Sequence, residues 1–142
     1  MTAYRLPSAP FMPRLKERQP PKKKASAADK REGMSAAHLK LIRLLPCCVC
    51  WGPGGEAHHL KISTERGMGM RATDKWALPI CHDDHIDGVE RVGSRNELAW
   101  FDKRGVRCLD LAAALWAAKG DLEKMRLVLA SHREQQKRTA KE

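Results

Sequence analysis

Leu45-Pro46-Cys47-Cys48-Val49-Cys50-Trp51-Gly52-Pro53-Gly54-Gly55-Glu56-Ala57-His58-His59 is the stretch on which the fold turns. Cys47 and Cys50 stand two residues apart, the spacing that lets one turn grip one side of a tetrahedral Zn²⁺. About thirty residues on, Cys81-His82-Asp83-Asp84-His85 supplies a second group of donors that can close the other side. The Trp51-Gly52-Pro53-Gly54-Gly55 run between them is a strong turn signal. Glu56 to Ile62 is then short enough for one strand, on which neighbouring side chains leave by opposite faces, so His58 and His59 point different ways. The pair has no obvious place in the zinc tetrahedron and is free for a second task.

Outward from this centre the chain reads as α+β. Ser35 is an N-cap, Leu39, Ile42 and Leu45 follow at helical spacing, and Pro46 ends the helix. Ser63 to Arg71, with Gly67-Met68-Gly69, reads as a loop. Thr73 or Asp74 caps a turn into a second apolar strand, Trp76 to Ile80, which delivers Cys81. From Cys81 to about Val92 a helix is expected, with His85, Val89 and Val92 on one face. Ser94-Arg95-Asn96-Glu97 has the form of a capping box, and Leu98, Trp100 and Phe101 follow it. A helix over Leu109 to Ala118 stops at Gly120, and Asp121 opens another. The expected order is therefore a helix, a β-hairpin with a knuckle, a helix and a helical C-terminal cap, with no internal repeat. Cys48 is the spare thiol, read as buried and apolar, and His38 and His82 are read as solvent-facing or capping.

At 142 residues there is room for one core. Lys and Arg outnumber Asp and Glu by 27 to 17, a net of +10, which points to a polyanionic partner held through counterion release. Aromatics at 5% argue against a platform that stacks single-stranded bases. Residues 1–34 hold five of the eight prolines and a net charge of +6, so they read as a disordered basic arm with Lys22-Lys23-Lys24 at its most basic point. Residues 35–132 read as the folded domain and 133–142 as a second basic tail. Five cysteines, three of them crowded at Cys47, Cys48 and Cys50, suit metal better than a disulfide framework. With no leader-like apolar segment at the start of the chain and no membrane-length apolar run, a reducing cytosol is the expected location.

The ordered set Leu45-Pro46-Cys47-Cys48-Val49-Cys50, Ala57-His58-His59, Gly67-Met68-Gly69, Asp74 and Pro79-Ile80-Cys81 resembles the HNH, or ββα-metal, endonucleases. Among them it is most like phage and prophage members, including recombination-enhancement nucleases that act with a host strand-exchange recombinase. The resemblance spans roughly residues 38 to 116 and implies a zinc-pinned ββα-metal centre. It implies that His59 is the general base, that His58 and His85 hold a catalytic Mg²⁺ or Mn²⁺, and that Cys47, Cys50, Cys81 and Asp84 hold the structural zinc. Lys61, Arg66 and Arg71 are the cations nearest the pair for contact with a DNA backbone. The chain departs from the family pattern at three places. Asp84 stands where Cys or His is usual, Val89 where a further histidine is frequent, and Trp76 where many members carry Asn. Asp84 leaves a second register open, in which His85 completes the zinc site and Asp83 or Asp84 serves the catalytic ion.

Three functions follow as expectations: a metal-dependent DNA endonuclease, a catalytically degenerate zinc module that binds DNA or protein, or a structural or packaging accessory protein. Hydrolysis of a phosphodiester needs a base for water and a cation for the charge that builds on phosphate, and the histidine pair is the feature that a pure zinc module would not require.

Overall fold

In the computed structural model, residues 32–61 and 72–142 are described. Lys22, Lys23 and Lys24 of the predicted arm, and the predicted loop with Arg66, Gly67, Gly69 and Arg71, lie outside the described residues. Ser35 caps helix α1 (Ala36–Arg43), its hydroxyl accepting the His38 N–H at 3.2 Å. Pro46 cannot continue the helix, and the chain turns at Leu44. Leu39, Ile42 and Leu45 face inward as their spacing requires.

The turn after Pro46 is closed by backbone hydrogen bonds from Cys47 N–H to the Gly52 carbonyl (2.9 Å) and from Trp51 N–H to the Cys47 carbonyl (3.0 Å). Gly54 passes so near the Leu45 carbonyl that a Cβ there would sit 2.2 Å from its oxygen, so no larger residue fits this return. Strand β1 (Glu56–His59) then pairs antiparallel with β2 (Ala77–Ile80), with His58 opposite Leu78 and His59 opposite Ala77. The first strand is shorter than expected, and one further bond, Leu60 N–H to the Trp76 carbonyl at 2.9 Å, extends the pairing. Pro79 has no N–H for the ladder, yet its carbonyl accepts the Cys48 N–H at 3.0 Å and so ties the knuckle to the hairpin.

The helix after Cys81 forms where expected but with a different pitch. Asp84–Glu90 is wound as a π-helix. Gly88 lies against the Trp100 ring, where a Cβ would come within 2.4 Å of Cζ2, and Val89 is buried in the core. The expected capping box does not form. Ser94–Asn96 is a 3-10 turn, neither it nor the following helix α2 (Glu97–Asp102) has a side-chain cap, and Glu97 turns inward instead. Helix α3 (Cys108–Ala117) and helix α4 (Leu122–Thr139), capped by the Asp121 carboxylate, complete the chain.

Two boundaries differ from the sequence reading. Helix α4 runs through most of the predicted tail, because Gln136 bonds both Trp51 and the Arg104 carbonyl and so docks that last turn. At the other end the Gly33 carbonyl accepts the Lys75 N–H at 3.1 Å, so the folded part begins inside the stretch assigned to the arm. One core joins Ile42, Leu60, Leu78, Phe101, Leu115 and Met125 from every layer. Cys48 and Cys108 are buried within it as apolar thiols. His38 is buried too, its ring edge-on to Trp116 at 5.0 Å, which corrects the solvent-facing reading; His82 is exposed. The correction at His38 has a plain cause, since the position three residues after the cap faces the α3 layer. No helix among the described residues is long and apolar enough to cross a membrane.

Candidate metal centre

The knuckle, the end of β2 and the start of the π-helix converge on one group of donors. Cys47, Cys50, Cys81 and Asp84 each offer an atom, all within 4.8 Å of one another, and could hold a metal ion. Cys50 and Cys81 sulfurs are 3.8 Å apart, and the Asp84 Oδ2 atom lies 3.2 Å from Cys81 Sγ and 3.4 Å from Cys47 Sγ. Backbone N–H groups already point at two of the sulfurs, from Val49 to Cys47 at 3.4 Å and from Asp84 to Cys81 at 3.5 Å. Burial pushes the Cys47, Cys50 and Cys81 thiols up from their ordinary value. A bound cation would favour the thiolate form that burial opposes.

A second group is built by β1 and the π-helix. His58, His85 and Glu90 offer three atoms within 4.8 Å of one another and could also hold a metal ion. His58 is buried, and its Nδ1 lies 3.5 Å from Glu90 Oε1. His85 Nε2 lies 3.6 Å from the same oxygen, and the two rings stand edge to face at 5.1 Å. Each far nitrogen is taken by a carboxylate: His58 Nε2 by Glu97 Oε1 at 2.6 Å, and His85 Nδ1 by Glu56 Oε2 at 2.5 Å. The other Glu97 oxygen accepts the Lys61 N–H at 2.9 Å. Lys61 Nζ meets Glu90 Oε2 at 2.5 Å, and this contact holds the Glu90 carboxyl below its usual range. Hydrogen bonds from His85 and then His82 do the same for Glu56.

His59 leaves the strand by the other face and lies outside that group. Its Nε2 meets Asp74 Oδ1 at 2.8 Å, while Asp74 Oδ2 accepts the Ser35 N–H at 2.8 Å. Asp74 is buried, so this carboxylate is gripped by the start of α1 and in turn fixes the imidazole.

The structure thus groups Asp84 with the thiols and His85 with His58, the first of the two registers open in the sequence. Of the expected backbone cations, Lys61 is the described one, and it is paired to Glu90 instead of standing alone. Three acids escaped the sequence reading. Glu56 was detectable, since it shares a strand face with His58 at a spacing of two. Glu90 was hidden by the pitch: a search one α-turn beyond His85 meets Val89, whereas the i→i+5 bonds of a π-helix stack Glu90 against His85. Glu97 is 39 residues from His58, and no local pattern joins them.

Residues 15–118 match the model of a family described as "Protein of unknown function (DUF968)", and the chain belongs to that family. It is also similar to the "Uncharacterized protein YdfU" of Escherichia coli (strain K12), at 28% identity over 93 residues. That match covers 61% of this chain and 25% of the relative, so the chain spans about a quarter of its length. No solved structure matches the chain.

Proposed function

We propose that this chain is a metal-dependent endonuclease of the ββα-metal (HNH) kind that hydrolyses DNA phosphodiesters. The observation that carries the reading is the division of donors into two sets on one strand-strand-helix unit, a thiol-rich set and an imidazole-rich set, with a carboxylate-held histidine beside the second. The first set suits structural zinc. Two thiolates about 2.3 Å from a tetrahedral zinc stand about 3.8 Å apart, and a thiolate and a carboxylate oxygen about 3.5 Å apart. Cys50 and Cys81 at 3.8 Å, and Asp84 at 3.2 and 3.4 Å from two sulfurs, fit that tetrahedron.

The second set, two imidazoles and one carboxylate, leaves coordination positions open, as catalytic sites do. Nitrogen donors favour Mn²⁺ over Mg²⁺ of the two ions the resemblance implies. When bound, such an ion would polarise the scissile phosphate and stabilise charge on the leaving oxygen. His59 does the proton work. With Nε2 committed to Asp74, its Nδ1 is the atom left to take a proton from the attacking water. His58 is the neighbouring residue on the strand, its side chain on the other face, so in this reading the phosphate reaches both at the strand's end. A host strand-exchange recombinase is the partner the resemblance suggests, and the +10 net charge suits DNA itself.

A second reading, a metal module that binds nucleic acid without cutting it, draws support from the Lys61–Glu90 ion pair, which engages the other oxygen of the Glu90 carboxylate and offsets its charge. Plasmid nicking in Mn²⁺, in Mg²⁺ and in EDTA separates the two. The nuclease reading expects EDTA-sensitive nicking that His59→Ala abolishes while zinc content is kept, with stability lowered by only about 1–3 kcal/mol for the bond Asp74 loses. Cys47→Ala should instead lose zinc and cooperative unfolding together. Intact DNA binding with no nicking in the unmodified protein under any of these conditions would select the second reading.

A further inference from the structure

We infer that Glu97 and Glu56 are positioning residues that lock His58 and His85 in opposite tautomers, so that His58 Nδ1 and His85 Nε2 are the atoms offered to an ion. The inference rests on reading His58, His85 and Glu90 as a metal site and adds which atoms serve it and what fixes them. A neutral imidazole carries one N–H, and the hydrogen bond at one nitrogen decides the role of the other. Glu97 is 1% exposed and stands 2.6 Å from His58 Nε2. Its second oxygen is already bonded to the Lys61 N–H, so the carboxylate cannot turn away. An ionised carboxylate only accepts, hence Nε2 carries the hydrogen and Nδ1 keeps its lone pair.

At His85 the order is reversed. Glu56 Oε2 takes Nδ1 at 2.5 Å, which leaves the lone pair on Nε2. Glu56 is steadied by its other oxygen, 2.7 Å from His82 Nδ1. The two lone pairs then face one oxygen of Glu90, at 3.5 and 3.6 Å. Three electron-pair donors within 4.8 Å of one another then have no hydrogen bond to share among themselves, and a cation satisfies all three. The chain sets this up from three separate places: the strand places Glu56 two residues before His58, the π-helix supplies His85 and Glu90, and α2 brings Glu97 across. Carboxylates behind ligating histidines orient the ring and raise its basicity, and losing one commonly weakens metal binding by about 10–100-fold.

The test uses the 142-residue chain loaded with zinc. Long-range ¹H–¹⁵N spectra of histidine-labelled protein, before any Mn²⁺ is added, should show hydrogen on His58 Nε2 and His85 Nδ1 only. Mn²⁺ titration should then give an affinity about 10–100-fold weaker in Glu97→Gln and in Glu56→Gln. Glu56 is partly exposed and its Gln variant keeps the shape, so that variant and the unmodified protein's spectrum decide the matter even where Glu97→Gln fails to fold. Spectra showing the reverse tautomers or hydrogen on both nitrogens, or Gln variants that bind Mn²⁺ as tightly as the parent, overturn the inference. Failure of the unmodified protein to take up Mn²⁺ overturns the metal reading on which it stands.

Discussion

His38 and His132 are residues whose chemistry is set by where they sit. Each is buried, and the burial holds its imidazole below the ordinary value of 6.5. The unfolded chain therefore takes up protons first as pH falls, and the folded state loses ground to it. Their stability contribution is complete above about pH 6.5 and declines as pH drops below that value toward the lowered folded one. Urea midpoints at pH 7.5 and 5.5 should show the decline, and His38→Leu should make it smaller; an equal decline in the variant would remove His38 from the effect. Of the single residues that matter here, the cysteines and the histidine pair were legible because their types and spacing are rare. Glu90 and Glu97 were not, since a surface acid and one that serves a site look alike until their neighbours are known, and Glu56 was marked only by its place on the His58 face of the strand.

The π-helix is the element on which the second donor group depends. An α-helical pitch would put Val89 beside His85, and Val89 is needed in the core. The wider winding satisfies both demands, burying Val89 while turning Glu90 to the imidazoles. Gly88 lets this helix lie on Trp100. Gly88→Ala should force that ring or helix to shift, at a cost of about 1–3 kcal/mol, read as a lower urea midpoint with unchanged slope. No loss of stability would mean the contact is looser than the structure gives. Helix existence was readable from apolar spacing; its pitch was not, because pitch here follows from what α2 presses against it.

Across the whole molecule, the C-terminal helix closes back on the knuckle. Trp51 is the non-glycine residue among those described with positive φ, at 63°, and its indole N–H bonds Gln136 Oε1 at 2.8 Å while Arg133 lies over its ring. Ending the chain after His132 removes both contacts and the Gln136 bond to the Arg104 carbonyl, and should cost about 2 kcal/mol from the two lost hydrogen bonds of about 1 kcal/mol each, seen as a lower midpoint. A midpoint that stays put would mark residues 133–142 as the free tail the sequence suggested. Deleting residues 1–31, which stops short of the Gly33–Lys75 bond, should preserve folding and flatten the salt dependence of DNA binding. A slope that does not change would take the arm out of the interface.

From its own order the sequence determined the α+β class, the knuckle, the caps at Ser35 and Asp121, and the thiol group, because each depends on residues a few positions apart or on a spacing that few other uses explain. The tertiary structure alone decided which acid faces which imidazole. Glu97 meets His58 across 39 residues and Glu56 meets His85 across 29, and contacts at such range are fixed by how the layers pack, not by any local preference of the chain.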